Sequence, residues 1–223
     1  MKQSRWLVLK LLVNKLSLII LGPQGSGKGT QAALVAQHFK VPKFSMGDTL
    51  RTVAASGTPL GQRIIPILKE GNLISLEDTK AVIAEGVRQL NPMEGIVIEG
   101  VPRSLEQVEP IEQILAEYGL AKPWLIELQI SDRTAGQRVG KRKICSACQH
   151  PAGQSDTKCV RCGSKLIRRT DEDEEILNNR LAVYHRETEP VIEHFNELGR
   201  HIAIDGEPPV REVYEAILRS IER

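Results

Sequence analysis

Gly22-Pro-Gln-Gly-Ser-Gly-Lys-Gly-Thr30 is the segment of this 223-residue chain whose residue types point most directly to chemistry. When such a loop opens a helix, the backbone N–H groups of Gly25, Ser26, Gly27, Lys28, Gly29 and Thr30 can wrap around phosphate oxygens. Glycines let the backbone come close, and Lys28 adds a point charge for β- and γ-phosphates. The strict motif has Ser or Thr directly after the lysine; here Gly29 intervenes and Thr30 follows. A ligand-free glycine turn would leave the lysine and its spacing without a purpose. A second constellation holds all four cysteines, as Cys145-x2-Cys148-x10-Cys159-x2-Cys162. Two such knuckles suit a tetrahedral thiolate metal site, and four thiolates close the shell, so the ion is expected to be structural. Zinc is the expected ion, with iron the alternative in the same thiolate set. Disulfides are the competing reading and would require an oxidising compartment. The five histidines form no ligand cluster in the sequence.

The elements that must carry these groups alternate between strands and helices. Leu16-Ser-Leu-Ile-Ile-Leu21 is a continuous apolar run ending at Gly22-Pro23, the pattern of a strand buried on both faces. Gly95–Glu99, Trp124–Ile130 and His201–Ile204 repeat it. Helical spacing is expected over Lys28–Lys40, Leu76–Leu90, Ser104–Tyr118, Asp132–Lys141, Asp173–Leu198 and Val210–Ile221. Such alternation predicts an α/β fold in three layers, a parallel sheet with helices on both faces. Ligands in such sheets sit beyond the carboxyl ends of the strands. The loop after Leu21 and the turn after Glu99 both fall there. Residues 141–169 hold the cysteines and no long apolar run, and read as an insertion with its own small fold.

Composition narrows the partners. Hydrophobic residues make up 41%, charged residues 26%, aromatics 4% and the formal net charge is +2. No global field draws the chain to nucleic acid or to an anionic membrane, and aromatics are too sparse for a base-stacking platform. Trp6–Val13 is apolar but too short to span a bilayer, so residues 1–15 are expected to be an extension and the protein cytoplasmic.

The form GxxGxGKGT resembles the loop of adenylate kinases, and the resemblance runs from about Leu16 to the C-terminus. It implies a P-loop NTPase core with two insertions and a reversible phosphoryl transfer from Mg-ATP to AMP, giving two ADP. Phe44-Ser-Met-Gly-Asp-Thr-Leu-Arg51 is similar to the family's S-T-G-D-M-L-R segment, which gives Arg51 the acceptor phosphate and Met46 a place beside the acceptor base. Glu70-Gly-Asn-Leu-Ile74 is similar to the stretch lining that base, at Asn72 and Ile74. Glu99-Gly-Val-Pro-Arg-Ser-Leu-Glu-Gln107 resembles D-G-F-P-R-x-x-x-Q. The resemblance implies that Arg103 holds the acceptor phosphate, that Gly100 and Gln107 contact adenine, and that Glu99 holds waters of the magnesium ion. Arg138 and Arg142 match the family's ATP-side arginines when the segment is aligned on Cys145; alignment on Arg133 would instead put Gln137 at a key arginine. Arg169 and Arg180 match the arginines beyond the insertion, and Pro208 the position whose backbone meets the ATP adenine. A zinc-bearing lid is also a feature of some members.

By this resemblance the core comprises residues 16–44, 75–140 and 173–223, the monophosphate-binding insertion residues 45–74, and the zinc lid residues 141–172. The family also implies a monomer. Convergent cations fit the chemistry, because phosphoryl transfer is catalysed by positioning and charge stabilisation, and the acceptor phosphate needs no base. Four departures stand out: Met46 for a threonine, Glu99 for an aspartate, Val101 for a phenylalanine and Lys143 for an arginine. Pro66 should also kink or shorten the helix expected over Pro59–Glu70. These departures keep two alternatives in view: a kinase for another nucleoside monophosphate, and a decayed nucleotide-binding switch or RNA-associated zinc module.

Overall fold

Three of the four apolar runs form the middle of a parallel sheet, and the fourth, His201–Asp205, forms one edge. The computed structural model describes residues 15–120, 122–141, 143–147, 152, 156–168 and 174–222. The expectations for the extension 1–14, Arg142, Cys148 and Arg169 lie outside the described residues. The strands are β1 (Leu16–Leu21), β2 (Lys43–Ser45), β3 (Gly95–Glu99), β4 (Trp124–Gln129), β5 (Lys143–Cys145), β6 (Leu166–Arg168) and β7 (His201–Asp205). Five of them align in the order β2-β3-β1-β4-β7, every pair parallel, while β5 and β6 form a separate antiparallel ribbon. The helices are α1 (Lys28–Phe39), α2 (Met46–Ala55), α3 (Pro59–Glu70), α4 (Leu76–Leu90), α5 (Val108–Glu117), α6 (Asp132–Lys141), α7 (Glu174–Val183), α8 (Glu189–Glu197) and α9 (Val210–Ile221).

β1 and β3 are buried at every residue because both faces of the sheet are covered there. Along β1, Ile19 and Leu21 enter one core with Ile98, Leu125, Ile111 and Phe195. Leu18 and Ile20 enter the other with Val97, Ile126, Val35 and Ile217. Each fully buried aliphatic side chain of this kind contributes about 1.5–3 kcal/mol. Register puts the carboxyl ends side by side: Ser45 opposite Glu99, Ile20 opposite Glu99, and Leu21 opposite Glu127. The strand β2 has no signature in the sequence, since Lys43-Phe44-Ser45 carries a single apolar side chain.

Helices α2 and α3 cross closely. A Cβ at Gly61 would lie 2.3 Å from the carbonyl oxygen of Val53, a backbone atom that cannot yield, so glycine is required there. Pro66 does not shorten α3, which runs through to Glu70, contrary to expectation. The carbonyl that loses its N–H partner belongs to exposed Gln62, and Pro66 is itself exposed, so water can satisfy the orphan group. The long helix expected over Asp173–Leu198 is likewise interrupted, by a π turn over Tyr184–Thr188. Pro190 follows it, and its missing N–H and its ring would disturb a regular α ladder at that point.

The π turn is fastened to α6 by His185, whose ring nitrogens lie 2.7 Å from Glu189 Oε1 and 3.2 Å from Asp132 Oδ2. The bond to Glu189 raises the His185 pKa against the opposing effect of burial, and Asp132 adds to the rise. A raised folded pKa gives stability that is complete below the unfolded value near 6.5 and fades as pH climbs through the folded value. The thermal midpoint of wild type relative to His185→Gln is therefore expected to be higher at pH 6 and to converge with it by pH 8–9. A difference that does not change with pH would contradict the charged bridge.

Candidate active site

The segment after β1 turns over glycines into α1. Gly25 and Gly27 have φ of 84° and 90°, a region that favours glycine, and Gly27 is the residue preceding the helix. The N–H groups of the first turn of α1 thus open beyond the sheet's carboxyl edge. Lys28 Nζ reaches back to the Pro23 carbonyl at 3.2 Å, folding its ammonium over the loop. Ser26 is buried, and its hydroxyl makes no hydrogen bond within the described residues. Thr30 is exposed one position beyond Gly29. Gln31 ties α1 to the start of α9, donating from Nε2 to the Val210 carbonyl at 2.8 Å.

Two strand ends away, Ser45 joins the second half of the site to the first. Its hydroxyl donates to Glu99 Oε2 at 2.6 Å and accepts from the Asp48 backbone N–H at 3.3 Å, so one side chain caps α2 and fixes the carboxylate. Arg51 lies back along α2 on Asp48 rather than reaching across the cleft. Burial works to raise the Asp48 pKa, but Arg51 and Lys43 outweigh it and hold the carboxyl below its ordinary value. Met46 is 5% exposed and belongs to the same apolar core as Leu50, Ile64 and Val101. Two of the four departures, Met46 and Val101, therefore belong to one apolar cluster. Ile74 is in the same core, with a buried side chain.

Arg103 follows a turn that contains the cis Val101–Pro102 bond. Its Nε donates to the Gly100 carbonyl at 2.7 Å, and its backbone N–H donates to Gln107 Oε1 at 2.8 Å. Gly100 and Gln107, expected at the acceptor base, are thus also structural partners of Arg103. Burial pushes the Arg103 pKa down; Arg180 and Arg51 push it further, and Glu99 acts in the opposite direction. A guanidinium remains charged despite such a shift. The consequence is three cations gathered near one carboxylate.

Arg180 projects from α7 against the end of α3, with Nη2 3.4 Å from the Leu68 carbonyl, and its Cγ would meet a Cβ at Gly71 at 2.9 Å. Asn72 accepts at Oδ1 from Asn179 Nδ2 at 3.0 Å, and Asn179 also donates to the Glu70 carbonyl at 2.6 Å. Asn179 carries no motif of its own; only its place beside Arg180 hinted at a role. On the other side of the cleft, Arg138 donates to the carbonyls of Gly206 and Glu207, both at 2.8 Å, immediately before Pro208. The Glu207 carboxylate accepts from the Ser131 N–H at 2.9 Å, which lowers its pKa and pins that loop.

In the insertion, the sulfurs of Cys145, Cys159 and Cys162 all lie within 4.8 Å of one another, Cys145 and Cys162 at 3.3 Å. The Ala147 N–H points at Cys145 Sγ at 3.4 Å. Gly163, with φ of 73°, closes a tight turn by donating to the Cys159 carbonyl at 2.8 Å. Thiolates set about 2.3 Å from a common ion would span distances of this order.

Residues 20–200 match the family model described as adenylate kinase. The chain belongs to the adenylate kinase family. Curated relatives agree over nearly their full lengths. An adenylate kinase of Fervidobacterium nodosum is 33% identical over 91% of this chain and 95% of its own. One of Chlamydia caviae is 34% identical over 95% of this chain and 100% of its own, and one of Archaeoglobus fulgidus 32% identical over 93% and 100%. The parallel sheet with its glycine loop is the α/β, P-loop NTPase arrangement expected of an adenylate kinase.

Proposed function

We propose that the protein catalyses reversible phosphoryl transfer between Mg-ATP and AMP, yielding two ADP. The observation that supports this most strongly is that Arg103, Arg180 and Arg51 lie close enough to act on one another, beyond the same carboxyl edge of the sheet at which β1 leads into the glycine loop and Lys28. One anion on each side, joined end to end, satisfies both. In this reading the N–H groups of Gly25 to Thr30 and Lys28 hold the ATP phosphates, and Arg138 and Pro208 border the ATP adenine. Arg51, Arg103 and Arg180 receive the AMP phosphate, with Arg51 leaving Asp48 to do so. Met46, Asn72, Ile74, Gly100 and Gln107 border the acceptor base. Arg142 and Arg169 complete the cation ring. An oxygen of the AMP phosphate attacks the γ-phosphorus while the bond to the β–γ bridging oxygen breaks, and that oxygen leaves on ADP. No proton has to be removed from the acceptor, so the residues act by aligning the two phosphates and offsetting charge on the transferred group.

Thr30, and Glu99 through water, would hold magnesium supplied with ATP, whose charge would offset part of that on the phosphates. The lid's thiolates fit a structural zinc on the donor set and on the close approach of Cys145, Cys159 and Cys162, with Cys148 as fourth ligand. Residues 45–74 and 141–172 serve as the mobile acceptor and lid segments around the core of 16–44, 75–140 and 173–223. Lid closure is a known habit of adenylate kinases and is carried over from the family. A thiolate set of this kind needs a reducing compartment, which supports a cytoplasmic location. A monomer binding neither nucleic acid nor membrane accords with a net charge of +2 and with no described helix being long and apolar enough to cross a membrane.

ADP formation from Mg-ATP with AMP, CMP, UMP and GMP in parallel, with Lys28→Ala as blank, tests the reading. AMP is expected to be turned over, and Arg103→Lys to lose at least about 10²-fold in kcat/KM for AMP, since the arginine fork is not reproduced by a point charge. Turnover with another monophosphate alone would reassign the acceptor, and none with any would reject the enzyme. For the lid, elemental analysis is expected to give one zinc per chain, with Cys145→Ser losing it and lowering the melting temperature. A metal-free native protein of unchanged stability would remove zinc from the account.

A further inference from the structure

The π turn joins parts of the molecule that the catalytic reading leaves unconnected. It is bounded by Tyr184 and Thr188 and follows directly on α7, the helix that carries Arg180. Tyr184, at its start, is anchored to the sheet, where burial and the hydrogen-bonded Glu127 carboxylate raise its hydroxyl pKa. Thr188, at its end, is 3% exposed. A helical threonine commonly turns its hydroxyl back to its own preceding turn. Here it instead leaves the helix, and Oγ1 donates to the Arg103 carbonyl at 3.0 Å.

The turn also sets which way Thr188 faces. In a regular α-helix, at about 100° per residue, a residue eight positions on stands about 80° round the axis. A π turn takes up one extra residue, so Thr188 stands close to where the seventh residue after Arg180 would be, about 20° away. One helix face thus presents Arg180 and, two turns on, the hydroxyl that holds Arg103.

We propose that Thr188 is a positioning residue for acceptor-phosphate recognition, brought beneath Arg103 by the π turn; the proposal rests on the assignment of Arg103 to the AMP phosphate. Arg103 is held at three points: the N–H on Gln107, the carbonyl on Thr188 and Nε on Gly100. With both flanking peptides fixed, only the terminal guanidinium nitrogens are left to meet phosphate. Repulsion from Arg180 and Arg51 acts to displace that guanidinium, and the Thr188 bond resists it by holding the peptide from below. Misplacement by 1 Å in such a constellation can cost about 10²-fold in rate, so one hydrogen bond at this place reaches the chemistry.

The test is steady-state kinetics of the full-length protein for both substrates, with Thr188→Val, which keeps the shape, and Thr188→Ser, which keeps the hydroxyl. Thr188→Val is expected to lower kcat/KM for AMP about tenfold or more while KM for ATP changes less than about twofold. Thr188→Ser is expected to restore most of the loss. If Thr188→Val does not fold, Thr188→Ala against Thr188→Ser gives the same comparison. A rise in KM for ATP as large as that for AMP, or a Val variant as active as the Ser variant, would overturn the proposal, the hydroxyl then merely satisfying a buried carbonyl. A wild-type protein that does not phosphorylate AMP would instead overturn the reading on which it rests.

Discussion

A half-buried guanidinium beside two others is the constraint around which the site is built. Desolvation and the neighbouring Arg180 and Arg51 all act against the charge on Arg103, and Glu99 alone among the named neighbours favours it. A charge that cannot be shed is costly to keep out of water unless an anion meets it. In the proposed reading, the fold accepts that cost in the free protein and recovers it on binding the acceptor phosphate. The rest of the acceptor side can be read as the means of holding the cluster together against its own repulsion.

Those means come from several elements. Ser45, at the end of β2, holds Glu99 and starts α2 with the same hydroxyl. Gln107 takes the Arg103 N–H, and Asp48 holds Arg51 aside. On the opposite wall, Arg138 is committed to the loop before Pro208, so the donor and acceptor halves each have cations already fixed to backbone carbonyls. The parallel sheet matters because it delivers β1, β2 and β3 to one edge in register, placing the glycine loop, Ser45 and Glu99 within adjoining strand ends. Preorganisation of this sort lowers the reorganisation needed at the moment of transfer.

Much of this was legible in the sequence. Strands covered on both faces leave continuous apolar runs, which is why β1, β3 and β4 could be read; β7 was found by its short apolar run, although at the sheet edge only Ile204 of it is buried. The glycine loop was visible because its chemistry demands particular residues in order. What escaped had no periodic or compositional trace. Three residues with one apolar side chain do not announce β2. An inserted residue in a 3.6-residue repeat leaves the apolar pattern of Asp173–Leu198 nearly intact, so only Pro190 marked the π turn. Pro66 misled in the other direction, because the carbonyl it orphans faces water. The Arg51–Asp48 pair is an i,i+3 contact on one helix that spacing permits, whereas the contacts of Gly100 and Gln107 with Arg103 depend on how the turn after β3 folds, which spacing does not encode. Met46 and Val101 looked like separate departures and both lie in one apolar core.

The central claim is that the phosphate, more than the base, stabilises the acceptor site. The most direct test is the shift in thermal midpoint produced by AMP and by adenosine at one and the same concentration, chosen to saturate for AMP, without ATP. AMP at about a hundred times its Kd should raise the midpoint by roughly 5–10 °C, and adenosine should produce little change. Equal shifts from the two ligands would contradict the account, because the arginine cluster would then contribute nothing to acceptor binding.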